Sequence, residues 1–595
     1  MGSDGPMTGV DLGVHLGSRF DAIVCETGGE EGVASLQITS EQAIAALDFL
    51  RLDRDSGFDL LVDLTAVDFL QAEGRSDAEA ARFHLIYQLY STSSRKRLRL
   101  AVPLIGDAPE ADTATDIWPA AGWFEREVHD LFGIRFRGHP DLGRLLLPGD
   151  FLHWPLRKDY PLQGLGEREL LSRGVADGRD SGPAELAAWF ATHPLGREGG
   201  VEEEEAQVAF WEWGLQHPGG RGDLRFALEL EGGRVLRARP DPGYLHAGLE
   251  KLGEHRSFLQ LVPIAERLNP FSPFCCGLAF ALTAEALLQL EVPRKGQHSR
   301  IVLAELTRIG AHLAWLAEQA RTAGAEGASL RAAGLREQLG ELLSALTGSR
   351  TGAGFLRIGG VRGELPPAGL EGVTVFLTEL RHGIDAIHLA LTDSSIWRER
   401  VRGVGGMTAA GAIAWGASGP VLRGAGVACD ARRDAPYGGY EEFDFEVVVG
   451  TSGDVYDRYL VRMEELMQSG RIVSQAIEGM PEGACVLEDA RLSPPVKEKV
   501  QTDMESLIHH FELWMDGHGL RPPAGGEVCV PTEAPGGECS FRLFSDGTGK
   551  PYRMRVRTPS FAHFQLFPQL VKGIRLADVG TVLESLNIVA SEVDR

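Results

Sequence analysis

The residues best suited to chemistry in this 595-residue chain sit in a few loops, not in one motif. In Gly214-Leu215-Gln216-His217-Pro218-Gly219-Gly220-Arg221-Gly222, an imidazole and a guanidinium stand among glycines just ahead of a strand-like run. Glycines let a backbone approach a flat ligand closely, so one reading is a ligand-facing loop; the other is an ordinary connection. Arg221 can donate hydrogen bonds there but does not readily release a proton near neutral pH. A second loop, Glu266-Arg267-Leu268-Asn269-Pro270-Phe271-Ser272-Pro273-Phe274, holds at its centre a proline, which offers no donor. Arg267 and, in FLRIGGVRGELP, Arg357 are lone arginines that by default make surface salt bridges. Gly359-Gly360 permit a tight turn beside Arg357.

Metal, redox and nucleotide chemistry find less support. His246 and Glu250 stand four apart on one predicted helix face, yet two ligands without a third read as a structural hydrogen-bonded pair. Glu305 and His312 read the same way. Seven cysteines are an odd number with no Cys-x-x-Cys pair, which fits reduced thiols and leaves no evident way to hold an iron–sulfur cluster. Gly547-Thr548-Gly549-Lys550 lacks the first glycine of a phosphate loop and runs into Pro551. Arg402-Gly403-Val404-Gly405-Gly406 follows a basic helix end instead of a strand. Neither is expected to bind nucleotide.

The elements that must position these loops follow from periodicity. The length calls for two or more domains, and 43% hydrophobic with 24% charged residues is a globular composition. A net charge of −25 argues against nucleic acid or an anionic lipid surface as partner. No signal peptide and no uncharged apolar run long enough to span a bilayer stands out; FCCGLAFALTAEALLQL is broken by Glu285. Glu41 to Leu52 reads as a helix, and LLVDLTAVDF, RFHLIYQLYS and RLRLAVPL read as strands of a small sheet. From Gln163 to Glu205, Gly, Arg, Glu and Ala dominate and end in an acidic run, as in a linker, with Ala184 to Thr192 read as a helix within it. DLRFALELEGGRVLRARPDPGYL reads as a hairpin turning at Gly232-Gly233. Helical spacing follows over Arg300–Leu316, Arg336–Leu346, Leu370–Leu389, Asp457–Glu478 and Val496–Trp514. CSFRLFSDG and YRMRVRTPSF read as strands, and Leu576–Leu586 as a final helix. Asp454 and Asp457 stand near Arg458 and Arg462 at ion-pair spacing.

One passage resists this scheme. Gly122 to Tyr160 packs twelve charged side chains with two tryptophans and several glycines and prolines. Trp123 to Val128 starts like an amphipathic helix; the remainder reads as an extended arm, better explained as a strap laid across another surface than as self-contained core.

That passage resembles the signature of the C-type subunit of proton-pumping NADH–quinone oxidoreductase, respiratory complex I, and the likeness runs from about Gly57 to Leu162. From near Trp211 to the C-terminus the chain resembles the D-type subunit of the same complex, a relative of the large subunit of nickel–iron hydrogenases. WGASGPVLRGAGVACDARRDAPYGGY, VGTSGDVYDRYLVRMEE and RTPSFAHF carry the second likeness together with the two loops. The chain thus resembles a fused C/D subunit. The implied fold class is α+β: a small α/β sheet domain over residues 1–162, a linker over 163–205, and a mostly helical domain of the hydrogenase large-subunit type with small β-sheets over 206–595.

The resemblance implies a peripheral-arm subunit that forms, with a partner iron–sulfur subunit, the quinone-reduction cleft coupled to proton translocation. The implied quinone-cleft residues are His217, Arg221 and Pro270; Arg267 and Arg357 would lie near the partner's 4Fe-4S cluster. The family pattern places a second histidine where Arg221 stands and a tyrosine where Pro270 stands. Its histidine-orienting aspartate falls near Thr322, and a cluster-contacting histidine falls around Gly352 or Ala353. The four hydrogenase thiolates would fall at Asn269, Ser272, Val589 and Glu592, none of them cysteine, which argues against nickel. No catalytic residue or metal ligand follows from the resemblance, and no cofactor is expected on this chain alone; quinone is the substrate. The implied partners are subunits of the B, I, G and H types, at the cytoplasmic face of the bacterial inner membrane. The alternative is a scaffold component of a divergent complex-I-like enzyme whose quinone site is altered or lost.

Overall fold

Branched and aliphatic runs in the first third of the chain pair into a five-stranded sheet. The computed structural model describes residues 17, 19–20, 23–24, 33–53, 57–70, 81–167, 208–213, 222–489, 491–492, 494–514 and 520–595. The sheet consists of β1 (Ile23–Val24), β2 (Ala34–Gln37), β3 (Leu60–Asp68), β4 (Phe83–Tyr90) and β5 (Arg97–Leu104), with helix α1 (Ala43–Leu52) after β2. Its order is β1-β2-β5-β4-β3, with β2 parallel to β5 and the other neighbours antiparallel. The three long strands and α1 lie where periodicity places them. All nine residues of β3 are buried, as in a strand covered on both faces. Leu61, Leu64 and Ala66 join the main core, whereas Leu60 and Val62 pack with Ile413 and Cys429, and Val67 packs with Phe544.

The strap begins after β6 (Glu110–Asp112), in helix α2 (Ala121–Phe132), and passes through β7 (Arg135–Arg137). Helix α2 ends at Gly133, whose φ of 73° suits glycine. The Trp154 ring lies 2.5 Å from where a Cβ on Gly133 would stand, so no larger residue fits. The arm that follows runs through turns and bends with no strand beyond β7, and the surface it crosses belongs to the rest of the same chain. Asp130 accepts the N–H groups of Leu145, Leu146 and Leu147 at 3.1, 2.8 and 3.0 Å and ion-pairs with Arg144 at 2.7 Å. Arg157 stacks on Trp154 at 4.2 Å. Lys158 meets Glu254 at 3.0 Å, and Lys251 Nζ donates to the Arg157 carbonyl at 3.0 Å.

Beyond residue 207 the chain forms a three-stranded antiparallel sheet, β8 (Val208–Trp213), β9 (Arg225–Glu231) and β10 (Arg234–Asp241), with the β9–β10 turn at Gly232-Gly233 as predicted. The helical body follows: α3 (Phe258–Ala265), α4 (Pro273–Leu288), α5 (Arg294–Thr322), α6 (Glu326–Thr347), α7 (Pro367–Thr392) and α8 (Val455–Glu478). Helix α5 packs against α6 and α8, and α6 against α7. A second antiparallel sheet, β11 (Glu527–Ala534), β12 (Gly537–Phe544) and β13 (Arg553–Arg557), precedes α9 (Pro559–Val571), α10 (Leu576–Leu586) and α11 (Ala590–Val593). The architecture is mixed α and β, with small sheets beside a large helical region. Among the described residues no helix is long and apolar enough to cross a membrane.

Several boundaries differ from the sequence reading, two of them for a local reason. Val496–Trp514 is two helices, Lys497–Thr502 and Met504–Trp514, parted at Asp503. The strand predicted through Phe561 stops at Arg557, because Pro559 suits the first helical position and opens α9. The predicted helix at Ala184–Thr192 lies outside the described residues.

The two halves are joined by side chains of β13. Arg553, Arg555 and Arg557 alternate along the strand and therefore share one face. Arg553 Nε donates to the Ala66 carbonyl and Arg557 Nε to the Val62 carbonyl, both at 3.3 Å. Arg555 grips Asp63 at 2.6 and 3.0 Å, where β3 carries an extra residue between Leu61 and Asp63. This comb closes the rim of β3, which would otherwise offer open carbonyls.

Candidate functional site

Helix α3 ends at Ala265 and α4 starts at Pro273, so the residues between must reverse direction. Asn269 makes that turn: its Oδ1 accepts the N–H groups of Phe271 at 2.9 Å and Ser272 at 3.2 Å. Its Nδ2 donates to Glu592 Oε1 at 2.7 Å. At the other end, Glu266 accepts the Gly354 N–H at 2.9 and 3.1 Å. The loop is therefore two-faced: Asn269 and Ser272 are buried, while Arg267 and Pro270 are exposed.

Pro270 and Phe271 line a cavity of about 460 Å³ between α5 and α6. Gly310, Ala314 and Ala317 of α5 leave room for it, and Glu318 and Arg336 add charge to its walls. An Arg350–Glu337 ion pair at 2.6 Å closes one side. Arg357 lines a different cavity of about 780 Å³, with Gln260, Glu266, Leu492 and Lys550. Its guanidinium turns back onto its own hairpin, donating to the Gly354 and Leu356 carbonyls at 3.0 and 2.7 Å. Burial pushes the Glu266 carboxyl up; its bond from Gly354 and the charges of Arg357 and Arg267 pull the other way without prevailing. Arg267 and Arg357 are thus gathered around one carboxyl, and Pro270 faces the other cavity.

His217 and Arg221 lie outside the described residues. Gly222, the next residue, packs against α11: a Cβ on it would stand 3.0 Å from that of Ala590. Thr322 closes α5, and Ala353 precedes the Gly354 held by Glu266.

Asn269, Ser272, Val589 and Glu592 lie at one buried junction. Besides the Asn269–Glu592 bond, Ser560 Oγ donates to Glu592 and accepts the Val589 N–H at 3.1 Å, while Ser272 is fully buried in the same loop. Hydrogen-bonding side chains occupy this junction of loop, α9 and α11. Among the described residues no group of His, Cys, Asp and Glu could hold a metal ion.

Three pairings inferred from spacing are corrected. His246 precedes its helix, which starts at Leu249, and its Nδ1 contacts the Asp594 carbonyl at 3.0 Å. Glu250 turns instead to Arg553 and Arg555, at 2.7 and 3.3 Å; burial opposes its ionisation, but the arginines outweigh burial and hold it at about 2. Glu305 and His312 are structural, as inferred, but not to each other: Glu305 binds Arg308, Arg432, Tyr440 and Ser469, while His312 meets Glu465 at 3.0 Å. Asp454 and Asp457 bond backbone N–H groups, Asp454 capping α8 and Asp457 accepting from Thr451 at 2.8 Å, while both lend their charge to Arg458 without a direct bond. Arg458 is held by the Gly453 and Gly405 carbonyls at 2.8 and 2.9 Å.

The larger omission is a buried ionic cluster on the opposite side of α5. Arg308, Arg423 and Arg432 interlock there with Glu305, Asp430, Glu465 and Glu533, none more than 4% exposed. Burial lifts Glu533 to about 7 despite Arg423 at 2.8 Å. Within the sequence, only the Glu305–Arg308 and Asp430–Arg432 spacings are local to it.

Comparison with known proteins places the class first. The chain matches the family of the respiratory-chain NADH dehydrogenase 30 Kd subunit over residues 36–165, and that of the 49 Kd subunit over residues 322–595. It is 37% identical to the NADH-quinone oxidoreductase C/D subunit of Bdellovibrio bacteriovorus, over 94% of this chain and 95% of the relative. It is 35% identical to that of Methylococcus capsulatus, over 98% and 99%, and 38% identical to the C/D 2 subunit of Aquifex aeolicus, over 90% and 91%. The chain belongs to the family of C/D subunits of NADH-quinone oxidoreductase, and it is a subunit of that oxidoreductase.

Proposed function

We propose that this chain forms one wall of the cleft in which the complex reduces quinone, beside a partner subunit that carries a 4Fe-4S cluster. The observation that carries this reading is the two-faced loop, which presents Pro270 and Phe271 to a cavity of about 460 Å³. That volume falls within the range of roughly 300–1,000 Å³ usual for small-molecule sites. His217 and Arg221 complete the headgroup end. Arg267 and Arg357, gathered around Glu266, face the partner's cluster, where fixed positive charge favours its reduced form. Reduction is coupled to proton translocation by membrane subunits.

On this reading residues 1–162 and 206–595 correspond to the two formerly separate subunits, 163–205 joins them, and the second unit has the hydrogenase large-subunit fold. Met504, Leu507, Ile508 and Phe511 stand exposed at helical spacing on Met504–Trp514, which fits cover by partner subunits of the B, I, G and H types. The chain is then peripheral, on the cytoplasmic face.

Quinone reductase assays on the intact complex test the reading. Pro270→Tyr adds a hydroxyl donor and is expected to change the quinone KM severalfold; Arg221→Ala is expected to raise it. Unchanged kinetics in both would leave the chain as a scaffold between partners.

A further inference from the structure

Glu592 is 1% exposed, yet among the described residues no lysine or arginine forms a salt bridge with it. Other buried carboxylates of this chain, such as Glu250, Glu305 and Glu465, each meet an arginine. Glu592 is held instead by neutral donors, the Asn269 amide at 2.7 Å and the Ser560 hydroxyl. Among the described residues, the Arg557 guanidinium of β13 and the Cys276 thiol of α4 lie within its field. Burial raises the Glu592 carboxyl against the pull of Ser560 and Asn269. An acid held this way can exchange a proton in the range where an ion-paired one cannot.

Asn269 connects this acid to the cavity. Its amide donates to Glu592 while its carbonyl oxygen accepts the N–H groups of Phe271 and Ser272. Pro270 and Phe271, the residues between, form the cavity wall. Glu266 pins the other end of the loop to Gly354, and beside Asn269 the Ser591 hydroxyl donates to the Leu268 carbonyl at 2.8 Å.

Resting on the quinone-cleft reading above, we infer that Glu592 is a positioning residue for quinone reduction: its protonation sets how firmly Asn269 holds the loop that presents Pro270 and Phe271 to the headgroup. The ionised carboxylate makes a charge-assisted bond to Asn269 and holds the wall firmly; the neutral acid holds it less firmly.

The test is the pH dependence of the quinone KM in the intact complex, with a short-chain ubiquinone and with ferricyanide as a control acceptor. In the native complex KM should rise about fivefold on acidification, the factor equivalent to ~1 kcal/mol. Glu592→Gln mimics the neutral acid, so its KM should stay at the acid value at every pH, with kcat within about twofold and ferricyanide reduction unchanged. Ser560→Ala removes one donor to the carboxylate and should move the KM transition to higher pH; it also carries the test should Glu592→Gln fail to assemble. A Glu592→Gln complex that keeps the native pH dependence, or a transition unmoved in Ser560→Ala, overturns the inference while leaving the cleft reading intact. A native complex that reduces ferricyanide but no quinone overturns both.

Discussion

Arg555 of β13 and Asp63 of β3, 492 positions apart, form a two-pronged ion pair, Nε to Oδ2 at 3.0 Å and Nη2 to Oδ1 at 2.6 Å. The guanidinium also meets Glu127 at 2.9 Å, and Glu127 in turn meets Arg595 at 3.1 Å. All of these groups are buried, so the arginine neutralises charge that water cannot reach. Arg555→Ala would strand Asp63 and Glu127 and is expected to cost about 3–5 kcal/mol. A lowered denaturant midpoint and faster proteolysis between the halves would show it; a midpoint equal to the native one would count against the ion network as the joint.

The strap depends on Asp130, which gathers three consecutive N–H groups and Arg144. Asp130→Asn removes the charge from these bonds and puts an amide donor where acceptors are needed. A loss of about 1.5–3 kcal/mol is expected. Hydrogen exchange should rise first at Leu145, Leu146 and Leu147, and protection unchanged there would contradict the assignment.

Gly243 has φ 114°, and a Cβ on it would stand 2.4 Å from the Leu146 carbonyl oxygen of the strap. Gly243→Ala therefore strains its own backbone and pushes the strap away. The expected cost exceeds about 1 kcal/mol, read as a fall in thermal midpoint; a gain would show that the strap yields freely.

Glu125 is buried, and burial raises its carboxyl from 4.5 to about 8 despite hydrogen bonds from Thr113 and Ala114. The folded state thus binds a proton that the unfolded state has released. Its stabilising contribution is whole below pH 4.5 and is lost as pH rises through 8. Glu125→Gln cannot ionise, so the variant should match the native chain in acid and exceed its stability by a few kcal/mol above pH about 8. Parallel midpoints across that pH range would refute this.

Ala314 lines the smaller cavity and is 5% exposed. If quinone enters there, Ala314→Phe should raise the quinone KM at least about tenfold, equivalent to ~1.4 kcal/mol of lost binding. Assembly and ferricyanide reduction should persist. Native quinone kinetics in this variant would place the headgroup elsewhere.

Much of this fold was legible from local pattern. Alternation announced β5, and three- and four-residue spacing announced α5 to α8, because each element shows one face to the core. Gly232-Gly233 marked its hairpin because few other residues accept that turn. What stayed hidden depends on partners far along the chain. His246 and Glu250 stand at pairing distance in sequence, yet one turns to Asp594 and the other to Arg553 and Arg555. The strap's polarity signalled a second surface, but nothing local said that the surface was the same chain, at Asp68, at residues 243–254 and at Tyr552. At the candidate site, Pro270 and Asn269 were singled out by family pattern, whereas the part played by Ser560 required the packing of α9 against α11.

The arginine comb has a practical consequence for dissection of the protein. A fragment stopping after the strap would retain β3 as an outer strand with the Val62 and Ala66 carbonyls uncapped. Such a piece would be prone to stick to its own copies edge to edge, so work on the sheet in isolation would need a surrogate for β13 supplied as a peptide or a graft.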